Sequence, residues 1–349
     1  MGAVSWKWTP ERITKVKELI RRSGTLREVA DELGVTESSV RCLCNKERID
    51  YRSMFGRGIE VTAPPPSHLP VKELVEHRKR SFQHLSEHRK ARREIPVRVR
   101  DGKPIGILHF GDPHIDDDGT DISLLERHAR LVRETDGLYG ATVGDLTNNW
   151  VGRLAKLYAQ QGTSAADGWR LAEWFLGEVR DWLYIVGGNH DLWSGSGDPL
   201  QWISRQVGAL YQESEVRVGL QFPNDLTVRV NCRHDFAGSS QWNPAHGAMK
   251  ALMMGTRDHL AVCGHKHESA IACLRDPETG IAMWALKVAS YKLYDRFALE
   301  KGFRDQNLSP CALTVIDPRL PSTHPDLISV WWDPLEGADY LRFLRSRKR

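Results

Sequence analysis

Apolar positions recur with a helical period over the first fifty residues and in short strand-like runs after about residue 104, with a polar, proline-broken stretch between. "TPERITKVKELIRRSG" predicts a helix: Thr9 offers an N-cap oxygen, Pro10 suits the first helical position, and Gly24 ends it. "TLREVADELGVTESSVRCLCNKE" predicts two more, capped by Thr25 and Thr36. Leu26, Val29, Ala30 and Leu33 share one face, and Gly34 permits a left-handed turn between the two helices. "VTAPPPSHLP" (61–70) can continue neither a helix nor a central strand, so it predicts a stiff linker. "VKELVEHRKRSFQHLSEHRKARRE" is helical in propensity. Its Val71, Leu74, Val75, Phe82 and Leu85 do not sustain a heptad, so a coiled coil is not predicted.

Beyond residue 104, "IGILHF", "YGATV", "WLYIV", "LTVRVNC" and "HLAVC" are strand candidates. "DISLLERHARLVRET" and "DGWRLAEWFLGEVRDW" have helical spacing between them. "AMWALKVASYKLY", "CALTVID" and "LISVWW" predict further strands that complete a second sheet. Such alternation predicts a layered α/β architecture. The expected division is a small all-α domain at 1–50, a proline-containing linker and basic helix at 51–100, and a catalytic domain at 101–349.

Composition adds constraints. With 349 residues, 40% of them hydrophobic, the chain can bury one large core and carry a smaller module. No stretch approaches the roughly 18 apolar residues of a membrane span. The N-terminus lacks a signal-peptide layout, and Trp6 stands where the myristoylation pattern wants Ser or Thr. A cytoplasmic protein without a membrane partner is expected. Cys42, Cys44, Cys232, Cys263, Cys273 and Cys311 form no C-x-x-C pair, which argues against disulfides and zinc-thiolate sites. The net charge of +4 is segregated: residues 1–100 hold 22 Lys+Arg against 13 Asp+Glu, and the rest hold 27 against 32. A basic arm on an acidic body suits a phosphate polymer through counterion release, and a solvated linker equally.

The first fifty residues resemble a DNA-binding helix-turn-helix. Small Ala30 lets the helices cross closely, Gly34-Val35 makes the turn, and Val40 locks the second helix onto the first. In that reading Ser38, Ser39, Arg41, Asn45 and Lys46 lie on or near the groove-facing side. A three-helix module that binds protein has the same packing pattern.

The five strand candidates are followed in order by Asp112-Pro-His114, Gly144-Asp145, Gly188-Asn189-His190-Asp191, His234 and Gly264-His265-Lys266-His267. Each motif alone is weak, but all five in this order, each after an apolar run, are hard to reach by chance. His246 and His259 compete with His234 for the fourth place. His234 is preferred because it directly follows the alternating Leu226, Val228, Val230, Cys232. The acidic "GDPHIDDDG" (111–119) also admits a calcium-loop reading, but the twelfth loop position would be Leu125, where a bidentate Glu is required. Asp116 to Asp118 are expected to form a turn that shapes the electrostatics or caps the helix starting near Asp121.

These residues resemble the motifs D-x-H, GD, GNH[DE], H and GHxH of the calcineurin-like metallophosphoesterase superfamily, over about residues 105–270. The resemblance implies a four-layer fold of two packed mixed β-sheets flanked by helices. It also implies a two-metal site bridged by Asp145, with Asp112, His114 and His267 on one ion and Asn189, His234 and His265 on the other. The donor mixture suits two divalent ions of manganese, iron or zinc, with manganese the first expectation. Two such ions lower the pKa of a bridging water enough to hold a hydroxide nucleophile near neutral pH. His190, not assigned to a metal, is the candidate proton donor to the leaving oxygen, or else only orients ligands. "GDLTNNW" and "GNHDLW" depart from the GDxVDRG and GNHE of the protein phosphatases: the phosphate-gripping arginine is missing and Asn148 replaces the aspartate. The pattern is more similar to the DNA-repair exonuclease and phosphodiesterase branches.

The expected function is therefore a metal-dependent DNA nuclease delivered to DNA by its helix-turn-helix, of a kind associated with mobile-element or phage DNA processing. A phosphoesterase for small substrates, with a regulatory DNA- or protein-binding module, is the alternative. An inactive DNA-binding regulator is a third, and the full ligand set argues against it. Trp150, Trp193 and Trp242 follow three of the motifs and either stack on bases or fill the rim. The loop "WSGSGDP" (193–199) and the basic tail "RFLRSRKR" are candidates for substrate contact. A homodimer is left open.

Overall fold

Thr9, Thr25 and Thr36 each accept a hydrogen bond from a backbone amide of the following first turn, so three helices begin where the sequence predicts. They are α1 (Pro10–Arg22), α2 (Leu26–Leu33) and α3 (Glu37–Lys46), followed by the single turn α4 (Tyr51–Met54). The computed structural model describes residues 7–54, 67–193, 197–295, 299–300, 302 and 308–347. Residues 61–66 of the expected linker, with its proline run at 64–66, residues 194–196 of the candidate substrate loop and the last two residues of the basic tail lie outside the described residues.

The chain divides into two units, Met1–Arg80 and Ser81–Arg349. In the first, Val16, Ile20, Val29, Val40 and Cys44 are fully buried in a core shared by α1, α2 and α3. Gly34 takes the left-handed conformation that turns α2 into α3. Helix α5 (Val71–Ala91) crosses the unit boundary, and none of its side chains is buried.

The second unit holds two six-stranded mixed sheets. The strands are β1 (Ile95–Arg98), β2 (Ile105–Phe110), β3 (Leu138–Thr142), β4 (Trp182–Gly187), β5 (Leu210–Glu213), β6 (Glu215–Gln221), β7 (Thr227–Arg233), β8 (Leu260–Cys263), β9 (Ala270–Arg275), β10 (Ala282–Lys287), β11 (Cys311–Ile316) and β12 (Ile328–Trp331). One sheet runs β1-β6-β7-β8-β10-β9 and the other β12-β11-β2-β3-β4-β5. The late strands do not form a sheet of their own. β10 pairs with β8 and β9, while β11 inserts between β2 and β12.

Ile105 and Ile107 of β2 point into the layer between the sheets with Val218, Val230, Val262 and Leu286. Leu108 and Phe110 point to the opposite face and pack under α6 (Ile122–Glu134), α7 (Ala165–Glu178), α9 (Pro199–Gln206) and the C-terminal helix α11 (Pro334–Ser346). The short α8 (Asn189–Leu192) follows β4, and α10 (His246–Ala251) covers the other sheet's outer face. The resulting helix–sheet–sheet–helix layering is the architecture the sequence resemblance implies. No helix among the described residues is long and apolar enough to cross a membrane.

Three histidines outside the candidate metal clusters are interior. Burial pushes the imidazole of His109 down to about 3 and those of His128 and His259 to about 4. Their folded pKa values lie below the unfolded one of about 6.5, so protons bind the unfolded chain first as pH falls. Each is therefore expected to remove up to roughly 1.4 kcal/mol of stability per pH unit between about pH 6.5 and its folded pKa. Urea titrations of metal-free protein from pH 7 to 4.5 measure this, and His128→Gln should flatten the slope. An unchanged slope in that variant would contradict the assignment.

Candidate metal centre

Three parallel neighbours of one sheet (β2, β3, β4) and two of the other (β7, β8) end at the same rim, and their carboxyl ends carry the motifs. From β2 come Asp112 and His114, from β3 Asp145, from β4 Asn189 and His190, from β7 His234, and from β8 His265 and His267. Their donor atoms converge. Asp112, His114 and His267 form one cluster, Asp145, His234 and His265 another, and His114, Asp145 and His190 overlap both.

His234 Nε2 lies 2.9 Å from Asn189 Oδ1, 2.9 Å from His265 Nδ1 and 3.2 Å from Asp145 Oδ2. On the other side His114 Nε2 and His267 Nε2 are 3.2 Å apart, and His267 Nε2 is 3.4 Å from Asp112 Oδ2. A single ring proton cannot satisfy three acceptors at once, whereas a cation between converging lone pairs can. Asp112 Oδ1 is buried without a hydrogen-bond partner, as a carboxylate oxygen reserved for a metal would be. The donor set of carboxylates, imidazoles and one amide thus fits divalent transition-metal ions. Asp145 Oδ2 also lies 3.9 Å from His114 Nε2 and 4.0 Å from His190 Nε2, which places this carboxylate between the two clusters.

Electrostatics agree with that placement. Burial works against ionisation of Asp145, but His234, His190 and His114 outweigh it and hold the carboxyl well below its ordinary range. Burial likewise depresses His234, yet Asp145 and Asp112 push it up to about 10, the charge of the proton standing where a metal's charge would be. Two of the four candidate rings have a partner for the remaining nitrogen or lie near one. His234 Nδ1 donates to Val143 O at 2.9 Å, and His267 Nδ1 is 3.9 Å from Asp295 Oδ2. His265 presents Nδ1 to the site and anchors through its backbone N–H, which donates to Asp112 Oδ2 at 2.7 Å. His114 Nδ1 is buried and has no hydrogen-bond partner.

The backbone is strained where the ligands sit. His114, Asp145, His265 and His267 all have positive φ, at 40°, 53°, 69° and 51°. Such conformations cost on the order of 1–3 kcal/mol each for non-glycine residues and persist only where the surroundings over-determine them. Two glycines allow the approach. A Cβ on Gly188 would fall 2.1 Å from Asp145 Oδ1, and one on Gly264 would fall 2.4 Å from Asp112 Oδ1. The glycines of "GNHD" and "GHKH" therefore make room for the carboxylates of the other motifs.

The remaining expectations divide. His259 is in the interior, accepting the Arg229 backbone N–H, and His246 begins α10, so neither joins His234. Trp150 is 9% exposed, donates Nε1–H to Gln161 and stands edge-on 5.1 Å from the His190 ring. Trp193 packs on His190 with centroids 4.2 Å apart, and Trp242 is 92% exposed. Asp116, Asp117 and Asp118 do not cap α6, because Asp121 Oδ1 itself accepts the Leu124 N–H. Instead Asp116 and Asp117 hold Asn148, and Asp118 accepts the Gly162 N–H.

Sequence reading missed several functional neighbours. Asp191 accepts backbone N–H bonds from Leu146 and Gly188, tying the second motif to the third. Lys292 is buried with its ammonium 2.9 Å from Asp117 and 3.0 Å from Asp295. Beside the metal cluster lies a cavity of about 300 Å³ lined by Trp150, Leu157, Gln161, Asp117, Lys292 and Tyr294, among others.

In the first unit, Ser38, Arg41, Asn45 and Lys46 are exposed on α3. Arg41 pairs with Glu37 at 2.5 Å, and the Ser39 hydroxyl bonds the capping Thr36 hydroxyl at 2.8 Å. Ser39 is thereby drawn into the cap.

No protein-family profile and no curated protein matches this chain. Among solved structures it is similar to zinc-complexed Vps29 from Entamoeba histolytica (12% identity, TM-score 0.31, 60% of this chain and 90% of that one). It is also similar to the calcineurin-like phosphoesterase YfkN from Bacillus subtilis (12%, TM-score 0.34, 69% and 99%). A third likeness is to the NAD nucleotidase NadN from Haemophilus influenzae (8%, TM-score 0.35, 65% of this chain and 49% of that one). Shape similarity at these scores carries no functional weight.

Proposed function

We propose that this chain is a binuclear-metal-dependent phosphoesterase of the calcineurin-like superfamily that hydrolyses nucleic-acid phosphodiester bonds, with its helix-turn-helix unit engaging DNA. One observation carries the reading: seven candidate ligand side chains, Asp145 among them, converge from five strand ends of two sheets. Asp112, His114, His267 and Asp145 would hold one ion, and Asp145, Asn189, His234 and His265 the other, with manganese proposed and iron or zinc as alternatives. Bound there, the ions would supply a water nucleophile at neutral pH and neutralise the phosphate oxygens.

The protein's own groups do the rest. His190 Nε2 faces Asp145 across 4.0 Å and is only partly exposed, which supports reading it as the proton donor to the leaving oxygen. The adjoining cavity, at the lower end of the roughly 300–1,000 Å³ usual for small ligands, has room for a group attached to the phosphate. Its aromatic wall suits a nucleobase, and its size also suits a small phosphoester, the second reading. Digestion of circular and end-labelled linear DNA with manganese, against a dinucleotide and a phosphate monoester, separates these. Turnover of the monoester alone would overturn the nuclease reading.

For the first unit, Arg41→Ala with Lys46→Ala is expected to weaken DNA binding by the full chain and to lower the salt slope of log K by roughly 1 for each phosphate no longer neutralised. Gel-shift titrations at several salt concentrations read this, and hydrolysis of a dinucleotide should be unchanged. An unaltered DNA affinity would favour a protein-binding module.

A further inference from the structure

The acidic run after the first motif neither caps a helix nor enters the metal cluster, yet it is tied by hydrogen bonds to the residue that orients His190. His190 Nδ1 is 2.6 Å from the carbonyl oxygen of Asn148. A carbonyl only accepts, so Nδ1 carries the proton in this hydrogen bond, and Nε2 faces Asp145. That carbonyl is itself held. The Asn148 N–H donates to Asp116 Oδ1 at 2.7 Å, and Asn148 Nδ2 donates to Asp117 Oδ2 at 2.7 Å. Asp117 is anchored by Lys292 at 2.9 Å, and Asp116 Oδ2 accepts from Gln161 Nε2 at 3.0 Å. The next residue, Asn149, has a φ of 37° and donates its Nδ2 to the His190 carbonyl at 2.7 Å. A loop in this conformation keeps its shape only under such restraint.

We propose that Asp116 and Asp117 are positioning residues that act through Asn148 to fix the tautomer and aim of the His190 ring. The inference rests on the reading of His190 as proton donor to the leaving oxygen. Charge-assisted acceptors on both the backbone and the side chain of Asn148 keep its carbonyl directed at Nδ1. Losing one of them frees the peptide to turn, and the ring then samples the tautomer with its proton on Nε2.

The test compares Asp117→Ala, Asn148→Ala, the double variant and His190→Ala in the full chain with manganese. The substrates are a dinucleotide, whose alkoxide leaving group needs a proton, and a nucleoside p-nitrophenyl phosphate diester, whose leaving group does not. The single variants should lose about 10–100-fold in kcat on the dinucleotide, with KM and metal content unchanged, and less than about threefold on the nitrophenyl ester. The double variant should be no worse than the poorer single, since both changes break one hydrogen-bonded chain. Ring ¹⁵N shifts of His190 in metal-free protein should show the Nδ1–H tautomer in the wild type and a mixture in Asp117→Ala.

Equal losses on both substrates, or an Nε2–H tautomer in the wild type, would overturn the positioning role. Full dinucleotide activity in His190→Ala would instead overturn the donor reading, and wild type inert toward both esters the phosphoesterase reading. In either case the metal-free ring spectrum still decides the positioning.

Discussion

Asp145→Asn is expected to lower kcat/KM for any phosphodiester on the order of 10³-fold or more, about 4 kcal/mol of transition-state stabilisation. It should also reduce bound metal below two ions per chain. The substitution keeps the side chain's volume and one carbonyl oxygen, so circular dichroism should be unchanged. What it removes is a carboxylate lying between both clusters, within 3.2 Å of His234 and about 4 Å of His114 and His190. Without that charge three imidazoles face one another, and the two proposed dications would have nothing between them to offset their repulsion. Elemental analysis together with steady-state rates measures both outcomes. A variant that keeps two ions and wild-type rates would refute the shared-carboxylate assignment.

His190→Ala should be nearly as damaging to turnover and behave differently toward metal. Loss of a positioned proton donor costs about 10²–10⁴-fold, while the seven assigned ligands remain in place. DNA affinity and metal content are expected to stay close to wild type. Because His190 also groups with His114 and Asp145 within possible ligand distance, metal content is the deciding measurement. Loss of an ion in this variant would make His190 a ligand and not a donor.

Much of this site was legible because its ligands are local to strand ends. An apolar run predicts a strand, and the polar residues after it mark the loop at the carboxyl edge, where α/β proteins gather their chemistry. The helix caps at Thr9, Thr25 and Thr36 were legible for a similar reason, since a cap spans only three residues. Strands β1, β5, β6 and β9 were not anticipated. They are short or half-polar, and each exists because a neighbouring strand offers it backbone partners, as Val218 does for Ile95.

The amino-acid sequence by itself determined which residues could bind metal, the order in which strands deliver them, and the three-helix module at the N-terminus. Only the tertiary structure decided that Asp145 stands between two clusters and that His234, not His246 or His259, completes one of them. It alone assigned Asp116 and Asp117 to Asn148, 32 and 31 residues away, and buried Lys292 against Asp117. A hydropathy pattern reports which side chains avoid water, and it carries no record of which polar partner a buried charge will meet. That choice is made when two sheets close on each other and every carboxylate left inside must find a donor or a cation.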